Sequence, residues 1–128
     1  TPSFLGIKTY VIVSGSMEPY LNIGDIVIVK EVDMEDLNVG DVISFRKDKN
    51  VITHRLKEII ETENEKMFKT GGDNNNVDDN ELVEYRDIEG KVVKKISNLG
   101  NLQLFLLRKE VIIAFIVLYY IYIIFKKK

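Results

Sequence analysis

Ser16 is a residue whose type and setting could support chemistry. It lies in the segment Ser-Gly-Ser-Met-Glu-Pro, residues 14–19, where a turn containing glycine follows an apolar run at residues 10–13. A serine hydroxyl held in a turn can attack a carbonyl carbon, but it needs a base within hydrogen-bond reach. Because serine beside glycine commonly caps its own turn, this segment alone does not establish a nucleophile.

The base that the sequence offers is its single histidine, His54. Period-two alternation along a predicted strand places His54 with Ile52 and Leu56 on an apolar face, where a lone histidine is often a satisfied core residue. Imidazole in general titrates near neutrality, so histidine is the side-chain type best suited to act as general base. Lysine is the alternative base. The nearest lysines are Lys49 and Lys57, and alternation places Lys57 on the opposite face.

A glycine and asparagine loop at residues 71–79 supplies three carboxylates, Asp73, Asp78 and Asp79. Such a loop is typical of a solvated turn or a weak calcium site, although it lacks the central glycine and distal glutamate of a calcium loop. A carboxylate brought to His54 would instead hold the imidazole tautomer and stabilise its charged form. Adjacent aspartates point to opposite sides of an extended chain, so the sequence leaves open which one turns inward.

Together these segments resemble the signal peptidase I family, peptidase S26, in the archaeal and endoplasmic-reticulum branch that uses histidine where the bacterial branch uses lysine. The resemblance covers residues 11–79 and extends weakly to residue 90. It rests on the serine segment, the Gly-Asp pairs at 24–25 and 40–41, Thr-His-Arg at 53–55, and Gly-Asp-Asn-Asn at 72–75 continuing to Asp79. It implies a membrane-bound serine endopeptidase that removes signal peptides from secreted preproteins through an acyl-enzyme.

The resemblance also implies roles for individual residues. Ser16 is expected to be the nucleophile, His54 the base, Asp79 the carboxylate that orients it, and Asp73 a second essential carboxylate that supports the loop or shares the orienting task. The Ser16 amide and the Ser14 hydroxyl are expected to form the oxyanion hole. No cofactor or metal is expected, and the absence of cysteine excludes thiolate ligands.

The elements that must position these residues are predicted to be β-strands. Runs rich in β-branched residues occupy residues 25–32, 41–46, 51–60 and 88–96, with shorter runs at 10–13 and 67–70. The repeated Gly-Asp pair predicts two strands that start from similar turns, and no helical period occurs before residue 99. The predicted fold is mainly β: a small coiled antiparallel domain of the signal peptidase type at residues 1–98, followed by one C-terminal transmembrane helix within residues 99–128.

The apolar segment near the C-terminus predicts where in the cell the protein is located. Residues 111–125 contain no charged residue, and this length covers about 22 Å of helix against a hydrocarbon core of roughly 30 Å. Local bilayer thinning can accommodate that difference, so a single span is preferred to a buried core element. The three terminal lysines predict a cytoplasmic C-terminus and an extracytoplasmic catalytic domain at the cell membrane. Because the sequence begins at Thr1, we expect the family's N-terminal anchor to be missing from it.

Composition limits the partners and the alternatives. The 128 residues are 45% hydrophobic, which is enough for one hydrophobic core. The formal net charge of −2 argues against a nucleic-acid partner, which would require a basic surface. Expected partners are preprotein signal peptides and the lipid bilayer, with room for accessory membrane subunits. Self-cleaving repressors rely on lysine and a DNA-binding region, neither of which fits this chain. A non-catalytic, membrane-tethered β module that binds an extended peptide or a pilin-like partner remains the alternative.

Overall fold

The computed structural model describes residues 6–97 and 108–127. The chain divides into two units, Thr1–Ser97 and Asn98–Lys128. The domain boundary predicted at residue 98 lies outside the described residues.

In the first unit the described residues form a single antiparallel sheet, so the prediction of a mainly β fold is confirmed. Its seven strands follow the order β1-β2-β7-β3-β4-β5-β6 across the sheet, which leaves β1 and β6 at the edges. The strands are β1 (Ile7–Val11), β2 (Ile26–Lys30), β3 (Val42–Lys47), β4 (Asn50–Glu61), β5 (Lys66–Gly71), β6 (Val83–Glu84) and β7 (Ile88–Ile96).

The predicted strands differ from the observed ones mainly at the ends. β1 begins and ends earlier than the apolar run at residues 10–13, and Val13 lies beyond it with its side chain exposed. β6 was not predicted, because a strand of two residues is too short to show alternation. Two single-turn 3-10 helices lie between strands: Met34–Asp36 between β2 and β3, and Tyr85–Asp87 between β6 and β7.

The core consists of two apolar clusters. In β2, Val27 and Val29 are fully buried and their neighbours are less so, as expected for a strand with one face packed inward. The first cluster includes Met17 of the serine turn and consists of Ile12, Met17, Leu21, Val27, Val29 and Val42. The second includes Leu56 of β4 and consists of Leu37, Ile43, Phe45, Leu56, Phe68 and Val83.

The two Gly-Asp turns are built alike, which confirms the predicted repeat. Gly24 and Gly40 have φ of +94° and +101°, a conformation that glycine adopts without strain. In each turn the following aspartate accepts a 2.8 Å hydrogen bond from the backbone amide of an asparagine three residues before it. The turns then pair with Ile12 and Leu56 through backbone hydrogen bonds. The turns thereby anchor the segment that precedes Ser16 and the segment that follows His54.

The second unit contains α1, Lys109–Lys126. The helix is apolar on all sides, and most of its large side chains are exposed. Within the described part of the chain, none of the helices has the length and apolar character needed to cross a membrane. The predicted transmembrane helix is therefore not supported. Three of the 18 residues of α1 are charged, Lys109, Glu110 and Lys126, and only residues 111–125 form its uncharged part. The predicted cytoplasmic C-terminus depended on that span and also lacks support.

Candidate active site

Ser16 lies in the turn that follows β1. Its Oγ atom is 3.1 Å from Ser14 Oγ, so the two hydroxyls are within hydrogen-bond distance of each other. Met17, directly after Ser16, is almost completely buried in the first apolar cluster. The turn therefore presents one side chain to the site while the next anchors it to the core.

His54 comes from the middle of β4, where it pairs with Ile43 of β3. Only 8% of the residue is exposed, and its ring forms a T-shaped contact with the ring of Phe45 at a centroid distance of 6.3 Å. The predicted apolar face is therefore real, but the imidazole is not merely a core residue. Its Nε2 atom lies 3.0 Å from Ser16 Oγ, a distance at which proton transfer between the two is feasible.

Asp79 is the carboxylate that reaches the histidine. Its Oδ2 atom lies 2.7 Å from His54 Nδ1, and the same oxygen accepts a 2.7 Å hydrogen bond from the Thr70 hydroxyl. The Asp79 amide also donates to the Thr70 carbonyl oxygen. The end of β5 thus holds both the backbone and the carboxylate of Asp79. Asp78 turns elsewhere: its Oδ1 atom would lie 2.7 Å from a Cβ added to Gly71.

One assignment of protons satisfies all three groups. The carboxylate of Asp79 accepts from Nδ1–H of His54, which leaves Nε2 unprotonated and able to accept from the Ser16 hydroxyl. The Ser14 hydroxyl can then donate to Ser16 Oγ. This arrangement is that of a serine nucleophile, a general base and an orienting carboxylate.

Asp73 is placed differently from Asp79. Its carboxylate accepts two 2.8 Å hydrogen bonds from the Arg55 guanidinium, which also donates to the Gly40 carbonyl oxygen. These hydrogen bonds from Arg55 lower the pKa of the Asp73 carboxyl below its usual value, and Asp73 raises the pKa of Arg55. Of the two roles left open by the sequence, this geometry suits support of the loop.

The loop before Asp79 packs directly against the serine turn. The Asn74 amide donates to the Ser16 carbonyl oxygen at 2.9 Å, and the Asn74 side chain donates to the Gly15 carbonyl oxygen at 3.1 Å. A Cβ added to Gly72 would lie only 2.5 Å from the Ser16 carbonyl oxygen. Glycine at position 72 is therefore required by close backbone approach rather than by its own dihedral angles.

A groove of about 710 Å³ passes Ser16 and His54. Residues 10–14 and residues 49–54 form its walls, so one wall belongs to the edge strand β1 and its continuation. Lys49, considered above as an alternative base, lines this groove. The described side chains within hydrogen-bond distance of Ser16 Oγ are those of Ser14 and His54. The geometry therefore favours histidine over lysine as the base.

Three residues of the site were not predicted from the sequence: Arg55, Thr70 and Asn74. Arg55 directly follows His54. Strand alternation alone therefore predicts that its side chain points to the opposite face of β4. Asn74 contacts Gly15, which is 59 residues away in the chain, and Thr70 contacts Asp79 across the loop that follows β5. No local sequence pattern indicates either partner.

Comparison with known proteins places the chain in a family. The family model described as signal peptidase, peptidase S26, matches residues 3–97. The chain belongs to this family. The family predicted from the sequence is thus confirmed, and the match includes all the strands from β1 to β7.

Named relatives agree with this assignment. The chain is 38% identical over 92 residues to signal peptidase I W of Bacillus subtilis (strain 168), an alignment covering 70% of this chain and 48% of the relative. It is 33% identical over 106 residues to the signal peptidase complex catalytic subunit SEC11 of Metarhizium acridum, covering 75% and 62%. Human SEC11C is 32% identical over 91 residues, covering 63% and 47%. The chain thus spans about half to three-fifths of the length of these relatives.

Proposed function

We propose that this chain is a serine endopeptidase that cleaves signal peptides from secreted preproteins. The observation that carries the proposal is the continuous series of hydrogen bonds from Ser16 through His54 to Asp79, with distances of 3.0 and 2.7 Å. The membership of the peptidase S26 family and the names of the relatives supply the substrate class.

Acylation begins when Ser16 Oγ attacks the carbonyl carbon of the scissile peptide bond. The hydroxyl proton passes to His54 Nε2, and the carbonyl oxygen becomes an oxyanion. His54 then gives this proton to the leaving nitrogen as the carbon–nitrogen bond breaks. The signal peptide is left as an ester on Ser16, and Asp79 stabilises the transient imidazolium by accepting from Nδ1–H.

Deacylation repeats these steps with water. His54 takes a proton from water, the hydroxide attacks the ester carbon, and the proton returns to Ser16 Oγ as the ester bond breaks. In both halves the Ser16 amide and the Ser14 hydroxyl are the proposed donors to the oxyanion. The Ser14 hydroxyl is already 3.1 Å from Ser16 Oγ, and rotation about its side chain would direct it to the oxyanion.

The substrate is proposed to lie extended in the groove that passes Ser16. Residues 10–14 line this groove, and β1 is an edge strand with backbone groups available for pairing. A peptide strand added at such an edge would be held mainly through main-chain hydrogen bonds. Replacing peptide bonds of a substrate by esters near the cleavage site should therefore weaken its binding.

A membrane location is also proposed. Signal peptides are apolar, and α1 exposes large apolar side chains such as Phe115, Leu118 and Tyr119. We propose that α1 contacts lipid and that the catalytic unit works on the extracytoplasmic side. Two of the relatives are named as catalytic subunits of a signal peptidase complex, which supports accessory membrane subunits as partners. Co-flotation of the chain with anionic lipid vesicles tests the lipid contact, with Phe115→Glu as the weakened variant.

The deciding experiment is cleavage of a detergent-solubilised preprotein by the chain and by Ser16→Ala and His54→Ala. Cleavage at one bond, reduced by at least about 10³-fold in either variant, is expected for a serine acting with a histidine base. Folding of each variant is checked by thermal unfolding. If activity survives in His54→Ala, the general base would be a lysine such as Lys49 and not the histidine. A folded wild-type chain that binds the preprotein without cutting it would instead support the non-catalytic binding module.

A further inference from the structure

We infer that Asn74 is a positioning residue for the oxyanion hole and acts on the peptide unit between Gly15 and Ser16. This inference rests on the proposed function, because it assigns the means by which the Ser16 amide is aimed. Asn74 does not touch the substrate in this scheme; it acts through the backbone of the serine turn.

The argument starts from the two ends of one peptide unit. The carbonyl oxygen of Gly15 and the amide of Ser16 belong to the same planar group. Asn74 Nδ2 donates to that oxygen at 3.1 Å, and the Glu18 amide donates to it at 3.2 Å. Because the group is rigid and trans, holding the oxygen also holds the direction of the Ser16 N–H bond at the other end.

The second effect is electronic. A hydrogen bond donated to an amide oxygen draws charge toward that oxygen and strengthens the N–H of the same group as a donor, by about 10–30% for each bond. The Gly15 oxygen accepts two such bonds. The Ser16 amide therefore meets a developing oxyanion as a strengthened donor, at the stage where charge stabilisation contributes most to the rate.

The position of Asn74 is secured independently of its side chain. Its backbone amide donates to the Ser16 carbonyl oxygen at 2.9 Å, and the preceding Asp73 amide lies 3.4 Å from Met17 Sδ. Asp73 is itself held by Arg55. A change of the Asn74 side chain thus removes the hydrogen bond to Gly15 while the loop keeps its other anchors.

The test compares Asn74→Ala and Asn74→Asp with the wild-type chain. Asn74→Asp keeps the shape but puts a carboxylate oxygen against the Gly15 oxygen, so it should be the more harmful of the two. Asn76→Ala is the matched control, since Asn76 is exposed in the same loop. The probes are a signal-peptide substrate, a peptide boronic acid that forms a tetrahedral adduct on Ser16, and an uncleavable peptide of the same sequence.

We expect kcat to fall about 10- to 100-fold in Asn74→Ala with KM within about twofold, since loss of one oxyanion donor costs about 10²- to 10³-fold and this change only misdirects one. Affinity for the boronic acid should fall by a similar factor, and affinity for the uncleavable peptide should not. Unchanged kcat, or equal loss of affinity for both ligands, would overturn the role. If the wild-type chain neither cleaves the substrate nor binds the boronic acid, the proposed function itself fails and the inference fails with it.

Discussion

Two neighbouring residues of β4 each hold one carboxylate of the same loop, and the two pairs differ in kind. His54 meets Asp79 through one hydrogen bond of 2.7 Å, in a setting where the histidine side chain is only 10% exposed. Arg55 meets Asp73 through two hydrogen bonds of 2.8 Å, with its side chain 28% exposed. The first pair lies within hydrogen-bond distance of Ser16, whereas in the second pair Arg55 lowers the pKa of Asp73 and Asp73 raises the pKa of Arg55.

The difference shows how a strand can separate chemistry from support. Alternation sends His54 and Arg55 to opposite faces, so the loop at residues 71–79 must contact both faces of β4. Arg55 also contacts the face of the Tyr20 ring, with 5.1 Å between Cζ and the ring centroid. The Arg55–Asp73 pair thus links the loop to Tyr20, in the segment that follows the serine turn, and the His54–Asp79 pair lies beside Ser16 itself.

The largest effect is expected when the reactive pair is altered without a change of shape. Asp79→Asn should lower kcat by roughly 10⁴-fold, because an amide can donate to His54 Nδ1 and thereby stabilise the wrong imidazole tautomer. Steady-state cleavage of a preprotein measures the loss. Asp78→Asn is the matched control and should retain activity within about twofold. Equal losses in the two variants would contradict the assignment of Asp79 as the orienting carboxylate.

The next effect concerns the loop that both pairs share. Gly72→Ala should lower kcat by about 100-fold and destabilise the fold by about 1–3 kcal/mol, because its Cβ would lie 2.5 Å from the Ser16 carbonyl oxygen and displace the serine turn. Activity and thermal unfolding are measured together.

Gly71→Ala is the control for this change. Its Cβ would meet the Asp78 carboxylate at 2.7 Å, and that flexible side chain can move aside. We therefore expect a smaller loss for Gly71→Ala. A variant Gly72→Ala that is as active as Gly71→Ala would show that the loop does not need its close approach to Ser16.

A smaller effect is expected from the supporting pair. Arg55→Lys keeps the positive charge but loses the two-pronged contact with Asp73, so kcat should fall by less than about 10-fold while thermal stability decreases. Measurement of kcat and the melting temperature separates the two effects. If Arg55→Lys matched Asp79→Asn in loss of kcat, the division between support and chemistry would be wrong.

The smallest effect is the dependence of stability on acid. Arg55 lowers the pKa of Asp73 in the folded state, so the unfolded chain binds a proton there more readily. The stabilisation is fully present above the ordinary aspartate pKa of about 3.9 and is lost as the pH falls through the lowered folded value. Asp73→Asn should therefore be less stable than wild type at neutral pH, and the gap should close in acid.

Denaturant unfolding from about pH 7 down to about pH 2 measures this gap. Arg55→Met is the second variant, because without the guanidinium the pKa of Asp73 should return toward its ordinary value and the pH-dependent part of the gap should shrink. A gap that stays constant with pH would mean that Asp73 stabilises the loop by packing and not by its charge.

Much of the fold could be predicted because its signals are local. The β-branched runs of β2, β3, β4 and β7 and the two Gly-Asp turns depend on residues close together in the chain. The helix in the second unit was also predicted, but its role as a transmembrane span was not supported. β6 was missed since two residues carry no periodicity.

The amino-acid sequence by itself determined the reactive types, their order and the family: a serine in a turn, one histidine on an apolar strand face and an acidic loop. Only the tertiary structure decided which aspartate faces His54. That choice depends on the pairing of Asp79 with Thr70 and of Asp73 with Arg55. The tertiary structure also brings Gly72 and Asn74 against the turn at Ser16. The contacts of Asp73 with Arg55 and of Asn74 with the serine turn join residues 18 or more positions apart in the chain. The path of the backbone between them is set by the packing of the whole sheet.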